Sequence, residues 1–203
     1  MKKIILATAI TAFSTTAFAA DGDVDFGIQY GASNTGALSI EYGLTDDLEI
    51  GLKALGTSHE DFDPLNAPST LAERVDSDTG RMIGVSLIKS QAPEVGDVSF
   101  YGGVEGYNVK SDKVGDGSGV LGVAGARYDF SDKIYGTADI GIAPSAFTTG
   151  DIHGMKRATT SLNLAVNEQI TLSAGYQKIE ATNDAMTDAS FVDGGFVGMN
   201  FTF

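Results

Sequence analysis

The chain has no cysteine and no tryptophan, only 4 prolines and 2 histidines, and 13 basic against 27 acidic residues in 203 positions. Each shortage removes a class of protein. Without cysteine there is no disulfide scaffold, no thiol chemistry and no Cys-based zinc site. A formal net charge of −14 leaves no basic face to displace counterions, so no nucleic-acid partner is expected. Glycine is plentiful, at 26 residues, but has no triplet period, which removes a collagen-like chain. After the N-terminal segment no run approaches ~18 consecutive apolar residues, so no membrane-spanning helix is expected. What remains is 42% hydrophobic residues, enough for a packed core, on a length that allows one domain or at most two.

The first twenty residues read as an address. MKKIILATAITAFSTTAFAA has a basic start at Lys2 and Lys3, a short apolar stretch from Ile4, and a small-residue site at Ala17-Phe18-Ala19. That is the grammar of a secretory signal peptide, with cleavage expected after Ala19. The expected division is therefore a signal peptide over 1–19 and one mature domain over 20–203. All 27 acids but only 11 of the bases lie beyond residue 20, which puts the mature chain at −16.

Period-two alternation then recurs ten times. VDFGIQYGA puts Val24, Phe26, Ile28 and Tyr30 on one face, and LSIEYGL does the same with Leu38, Ile40, Tyr42 and Leu44. LEIGLKA continues the pattern, and further segments follow at 81–88, 98–109, 120–130, 134–143, 156–166, 170–179 and 191–203. Strict alternation marks strands with one apolar and one polar or small face. GLTDDLEIG, DFSDKIYG and AVNEQITLSAG share one turn grammar, in which Thr, Ser or Asn precedes an acid and Leu or Ile restarts the strand. Side chains of that type bond their own turn backbone. QAPEVGD is a looser fourth turn. Longer polar connections are expected at 56–80, 110–119, 144–155 and 180–190, and a short one at 33–36. Short and long connections alternate, as in an up-and-down outer-membrane barrel.

The predicted fold is therefore all-β: a transmembrane antiparallel up-and-down barrel of ten strands, with eight as the fallback. Facing the apolar side outward leaves a polar interior. Its charged members are Asp25, Glu41, Glu49, Lys53, Glu105, Arg127, Asp139 and Arg157, joined by Tyr101, Tyr107, Tyr135, Asn163, Gln177, Asn200 and many glycines. Arg81 breaks the rule by sharing the apolar face of Ile83, Val85 and Leu87; at a strand end its long side chain snorkels. Tyr42, Tyr128, Phe130, Phe201 and Phe203 suit one interfacial girdle, and Tyr30 and Tyr176 the other.

The C-terminus ends FVGMNFTF, with Val197, Met199, Phe201 and Phe203 on one face. This resembles the terminal tag that barrel-assembly machinery reads in outer-membrane proteins. The segments YGTADIGIAPSAFTTGD, LSAGYQKI and FVDGGFVGMNFTF resemble the YfaZ-type outer-membrane proteins of Gram-negative bacteria over roughly residues 134–203. The resemblance implies a porin-like barrel in the outer membrane. It implies no established activity and brings no catalytic residues.

Chemistry candidates are few. His59 and His153 fall in the expected long outer loops with acids nearby: Glu60, Asp61 and Asp63, then Asp151. An Asp–His pair can activate water, but no GxSxG nucleophile motif is present. The loop around Glu60, Asp61, Asp63, Glu73, Asp76 and Asp78 suits hard divalent cations without matching a calcium-loop spacing. GSGVLG opens a strand instead of a helix, so a dinucleotide site fails its context. No enzyme activity, cofactor or resident metal is expected. The expected partners are outer-membrane lipid, lipopolysaccharide and the assembly machinery, for a monomeric barrel. The inward charges leave two readings: a narrow charged path for ions or small solutes, or an interlocked plug in a structural or surface-interaction barrel. A hydrolase at the outer rim is third.

Overall fold

The computed structural model describes residues 10–11, 22–32, 34–59, 78–91, 97–183 and 187–203. Ten long strands follow one another: β1 Val24–Gly31, β2 Thr35–Thr45, β3 Leu48–His59, β4 Asp78–Gln91 and β5 Val98–Ser111, then β6 Gly117–Ser131, β7 Ile134–Ala143, β8 Ile152–Ala165, β9 Ile170–Asn183 and β10 Asp188–Thr202. Each pairs antiparallel with its sequence neighbours, and β10 pairs with β1 to close the ring. The closure runs in register from Phe196↔Gly31 to Thr202↔Asp25. It is finished by a reciprocal backbone pair, Val24 N–H to Phe203 O at 3.2 Å and Phe203 N–H to Val24 O at 3.0 Å. Closure satisfies the strand edges along the paired length of the seam, while among the described residues β10 before Gly195 is laddered to β9 alone. A two-residue segment, Ile10–Thr11, lies parallel beside Ala37 and Leu38, within the stretch expected to be removed as signal peptide.

The turn grammar works as side-chain chemistry. The Thr45 hydroxyl donates to Asp47 Oδ1 at 2.7 Å. Ser131 Oγ accepts the backbone N–H of Ile134 at 3.1 Å. Asn167 Oδ1 accepts the N–H of Gln169 at 2.9 Å. These connections, the start of β1 and the end of β10 share one rim, here called the turn end. The opposite rim is the loop end. There the strands run further than the alternation marks. β4 occupies 78–91 where 81–88 was expected, and β9 reaches Asn183. The connection expected at 144–155 is largely structured, as a 3-10 turn at Ser145–Phe147 and a short strand, Thr148–Gly150, that pairs with β6 beyond the end of the shorter β7. Backbone pairing extends these strands where side-chain alternation has faded.

Alternation puts apolar side chains on the outside. Ile28, Ile40, Leu52, Val85, Ile140 and Val197 are 41% to 59% exposed. The interior is packed, and glycine makes the room. A Cβ at Gly125 of β6 would fall on the ring of Tyr101 of β5. A Cβ at Gly122, on the outer face, would meet nothing nearer than a backbone oxygen at 3.9 Å. Gly125→Val is therefore expected to cost about 1–3 kcal/mol of barrel stability, the usual penalty of overpacking, while Gly122→Val costs much less. Urea unfolding of the two variants in detergent, followed by heat-sensitive gel migration, measures the difference.

Candidate functional site in the barrel interior

Seven of the eight predicted inward charges are buried: Asp25, Glu41, Glu49, Lys53, Glu105, Asp139 and Arg157. The eighth, Arg127, is half-buried towards the turn end. It forms an ion pair with Asp129 at 2.8 Å and stacks on the Tyr135 ring, 3.7 Å from its centroid. The buried set forms a connected belt in the lumen, running from Asp25 and Glu49 near the turn end to Glu105 and Arg157 at mid-strand. Glu105 on β5 is its centre. Arg157 Nη1 on β8, three strands round the ring, donates to Glu105 Oε2 at 2.6 Å. Lys53 Nζ on β3 lies 3.9 Å from the same oxygen. Arg157 Nε lies 3.3 Å from Asp139 Oδ1 on β7. One carboxylate thus ties three separated walls across the lumen. Charges this deep are tolerated only when paired and hydrogen-bonded.

The belt is not neutral by composition. Five acids, Asp25, Glu41, Glu49, Glu105 and Asp139, accompany two buried bases, Lys53 and Arg157. Glu41 has Glu49, Lys53, Asp25 and Glu105 as its electrostatic neighbours. Its side chain crosses Gly51, where a Cβ would lie 3.3 Å from Glu41 Cγ and 2.5 Å from Ser86 Oγ. Asp25 receives a hydrogen bond from the Thr202 hydroxyl, so the closing strands share a side-chain contact as well as their backbone ladder. Thr137 and Ser161 are bonded at 2.7 Å, and Asn163 donates to Ser161 Oγ at 3.0 Å.

The loop half of the lumen differs from expectation. The parity argument gave a polar, glycine-rich interior throughout. Here Leu55, Met82, Val109, Leu121, Ile152, Met155, Ile179 and Phe191 all point inward and are buried. Phe191 is the telling case. Counting back in twos from Phe203 would put it outside. A register shift between Ile179 and Glu180 pairs Val192 with Ile179 and Ser190 with Glu180, so Phe191 has no partner on β9. This β-bulge turns the ring inward, where it is 1% exposed. Two adjacent apolar residues, Phe191 and Val192, were the only sequence signal of the break.

The other candidates separate. His59 and His153 lie in strands, at the end of β3 and the start of β8, and not in loops as expected. His153 is half-buried; the His59 side chain lies outside the described residues, as do Glu60, Asp61, Asp63, Glu73 and Asp76. Among the described residues no three His, Asp or Glu side chains gather as a metal site. Val197, Met199 and Phe203 face outward at 59%, 36% and 76% exposure, and Phe201 on the same face is half-buried. Arg81 is exposed on the outer face, as its parity required. At the turn end Lys89 Nζ lies 2.9 Å from Asp47 Oδ2. The hydrogen bonds from Lys89 and then Thr45 hold the Asp47 carboxyl below its ordinary pKa.

The interior thus defines a narrow, filled β-barrel of the outer-membrane type. A family model described as YfaZ precursor matches residues 65–203; the chain belongs to the YfaZ family. No curated protein matches it. Among solved structures it is similar to the outer membrane channel DcaP of Acinetobacter baumannii, with 12% identity and a TM-score of 0.40 over 91% of this chain and 57% of that one. The chain spans a little over half the length of that channel.

Two outcomes are expected. Arg157→Met strands Glu105 and Asp139 without their main cation and should cost about 3–5 kcal/mol, with much of the loss recovered in an Arg157→Met, Glu105→Met double variant; urea unfolding in detergent reads both. Lys89→Ala should return Asp47 towards an ordinary carboxylate titration, read by NMR. Because its folded value is depressed, this contact stabilises above the unfolded pKa and is lost as pH falls through the folded one.

Proposed function

We propose that the chain is an exported, monomeric outer-membrane barrel of porin-like type, whose acidic lumen passes small cations. One observation carries the reading: the molecule is inside out. Apolar side chains cover the outer face of the ring while charged ones meet at its centre. An apolar belt of that extent is a membrane or interaction surface, and a closed sheet is one of two structures able to cross lipid. The leader-like N-terminus, the terminal aromatic strand and the family description as a precursor support export to the outer membrane. Outer-leaflet lipid and lipopolysaccharide would contact the outer face, and assembly machinery would read Val197, Met199, Phe201 and Phe203. Cation preference follows from the belt, where acids outnumber bases; a ring of carboxylates favours cations in a pore.

A second reading, a non-conducting structural or surface-interaction barrel, is favoured by how fully side chains occupy the lumen. A ten-stranded ring lies near the ~8-stranded barrels whose interiors side chains fill. No catalytic role is assigned to His59 or His153. Planar-bilayer recording under a salt gradient decides between the two. Small currents with a cation-selective reversal potential are expected, and Glu41→Gln with Glu49→Gln should move that potential towards zero. Silence over many insertions, or anion selectivity, would overturn the conduit.

A further inference from the structure

The belt and the loop-end cap present different obstacles to an ion. The belt offers carboxylates, hydroxyls and amides that replace water. The cap is mostly hydrocarbon, with a few hydroxyls such as those of Thr57 and Ser111. An ion entering it gives up hydration and receives little in exchange, so the cap resists passage more than the belt does.

One residue organises that cap. Phe191 of β10 reaches Gly80 of β4, four strands away round the ring through β1, β2 and β3. A Cβ at Gly80 would lie 2.5 Å from Phe191 Cε2, 3.2 Å from its Cζ and 2.9 Å from Thr57 Oγ1. The ring therefore rests on bare backbone, and only glycine leaves space for it. Leu55, Met82, Val109 and Ile179 belong to the same buried apolar cluster.

The backbone under Phe191 is also the least tied part of β10. The bulge leaves Phe191 unpaired on the β9 side. On the other side the ladder with β1 begins only at Phe196↔Gly31, with one further bond from Ala32 N–H to Gly195 O. Among the described residues, Phe191 has no ladder partner on either edge. It hangs from a segment paired on one edge only, and such backbone opens at lower free energy than a strand paired on both.

We propose that Phe191, seated on Gly80, is the constriction of this conduit: it closes the loop end and sets the size of what passes. The inference rests on the conduit reading above, and the two fail separately. The experiment compares wild type, Phe191→Ala and Phe191→Leu in planar bilayers, each first confirmed as a folded barrel by heat-sensitive migration. The probes are potassium and then tetramethylammonium chloride. Phe191→Ala is expected to raise unitary potassium conductance at least threefold and to admit tetramethylammonium, with Phe191→Leu in between; should the alanine variant not fold, the leucine variant carries the same comparison. Steady wild-type currents unchanged in both variants would overturn the constriction and leave the conduit standing. Silence of all three folded proteins would overturn the conduit and the constriction together.

Discussion

Glu105 and Arg157 meet across the lumen, and the interior is arranged around their meeting. A closed ring of ten strands has an inside that water fills poorly and side chains must occupy. Placing a carboxylate there without a partner would be prohibitive. Arg157 supplies one at 2.6 Å and reaches Asp139 as well, while Lys53 approaches Glu105 from a third wall. Because these groups come from β3, β5, β7 and β8, satisfying the charge also fixes the distance between opposite walls. A guanidinium suits this role better than an ammonium, since its planar fork serves two acceptors at once.

The same constraint explains where glycine stands. Tyr101 lies over Gly125, Glu41 over Gly51 and Phe191 over Gly80. Each of these three inward side chains is matched by a neighbouring or opposite position with none. The interior is thus stratified. Polar side chains and small residues predominate in the turn half, the charged belt reaches from there to the middle, and apolar side chains predominate in the loop half. The outer face is apolar along most of each strand, with charges such as Arg81 and Asp193 towards the loop end.

Much of this was legible in the chain. Period two gave ten strands, and parity gave the charged belt, since Asp25, Glu41, Glu49, Lys53, Glu105, Asp139 and Arg157 are all buried inside. The Thr, Ser and Asn turns announced themselves because the side chain that makes the turn is the signal. What escaped was set by backbone events or by distance in sequence. The bulge at Phe191 reverses parity with no insertion to mark it. The apolar cap gathers Leu55, Met82, Val109 and Ile179 from four strands, each unremarkable alone. Strand ends near the loop rim escaped because ladder bonding continues there after alternation stops. Which base meets which acid depends on the stagger between walls, and a parity count does not contain stagger.

The seam between β1 and β10 has a consequence in time. Residues 25–31 find the partners of their second edge in residues 196–202, so the ring stays open until β10 is available. Contacts this remote in sequence form late, because loop closure entropy must be met before any bond rewards it. Until then two raw edges and an oily surface coexist on one molecule. A polypeptide of this design therefore stays exposed to wrong pairings until its tenth strand docks on its first.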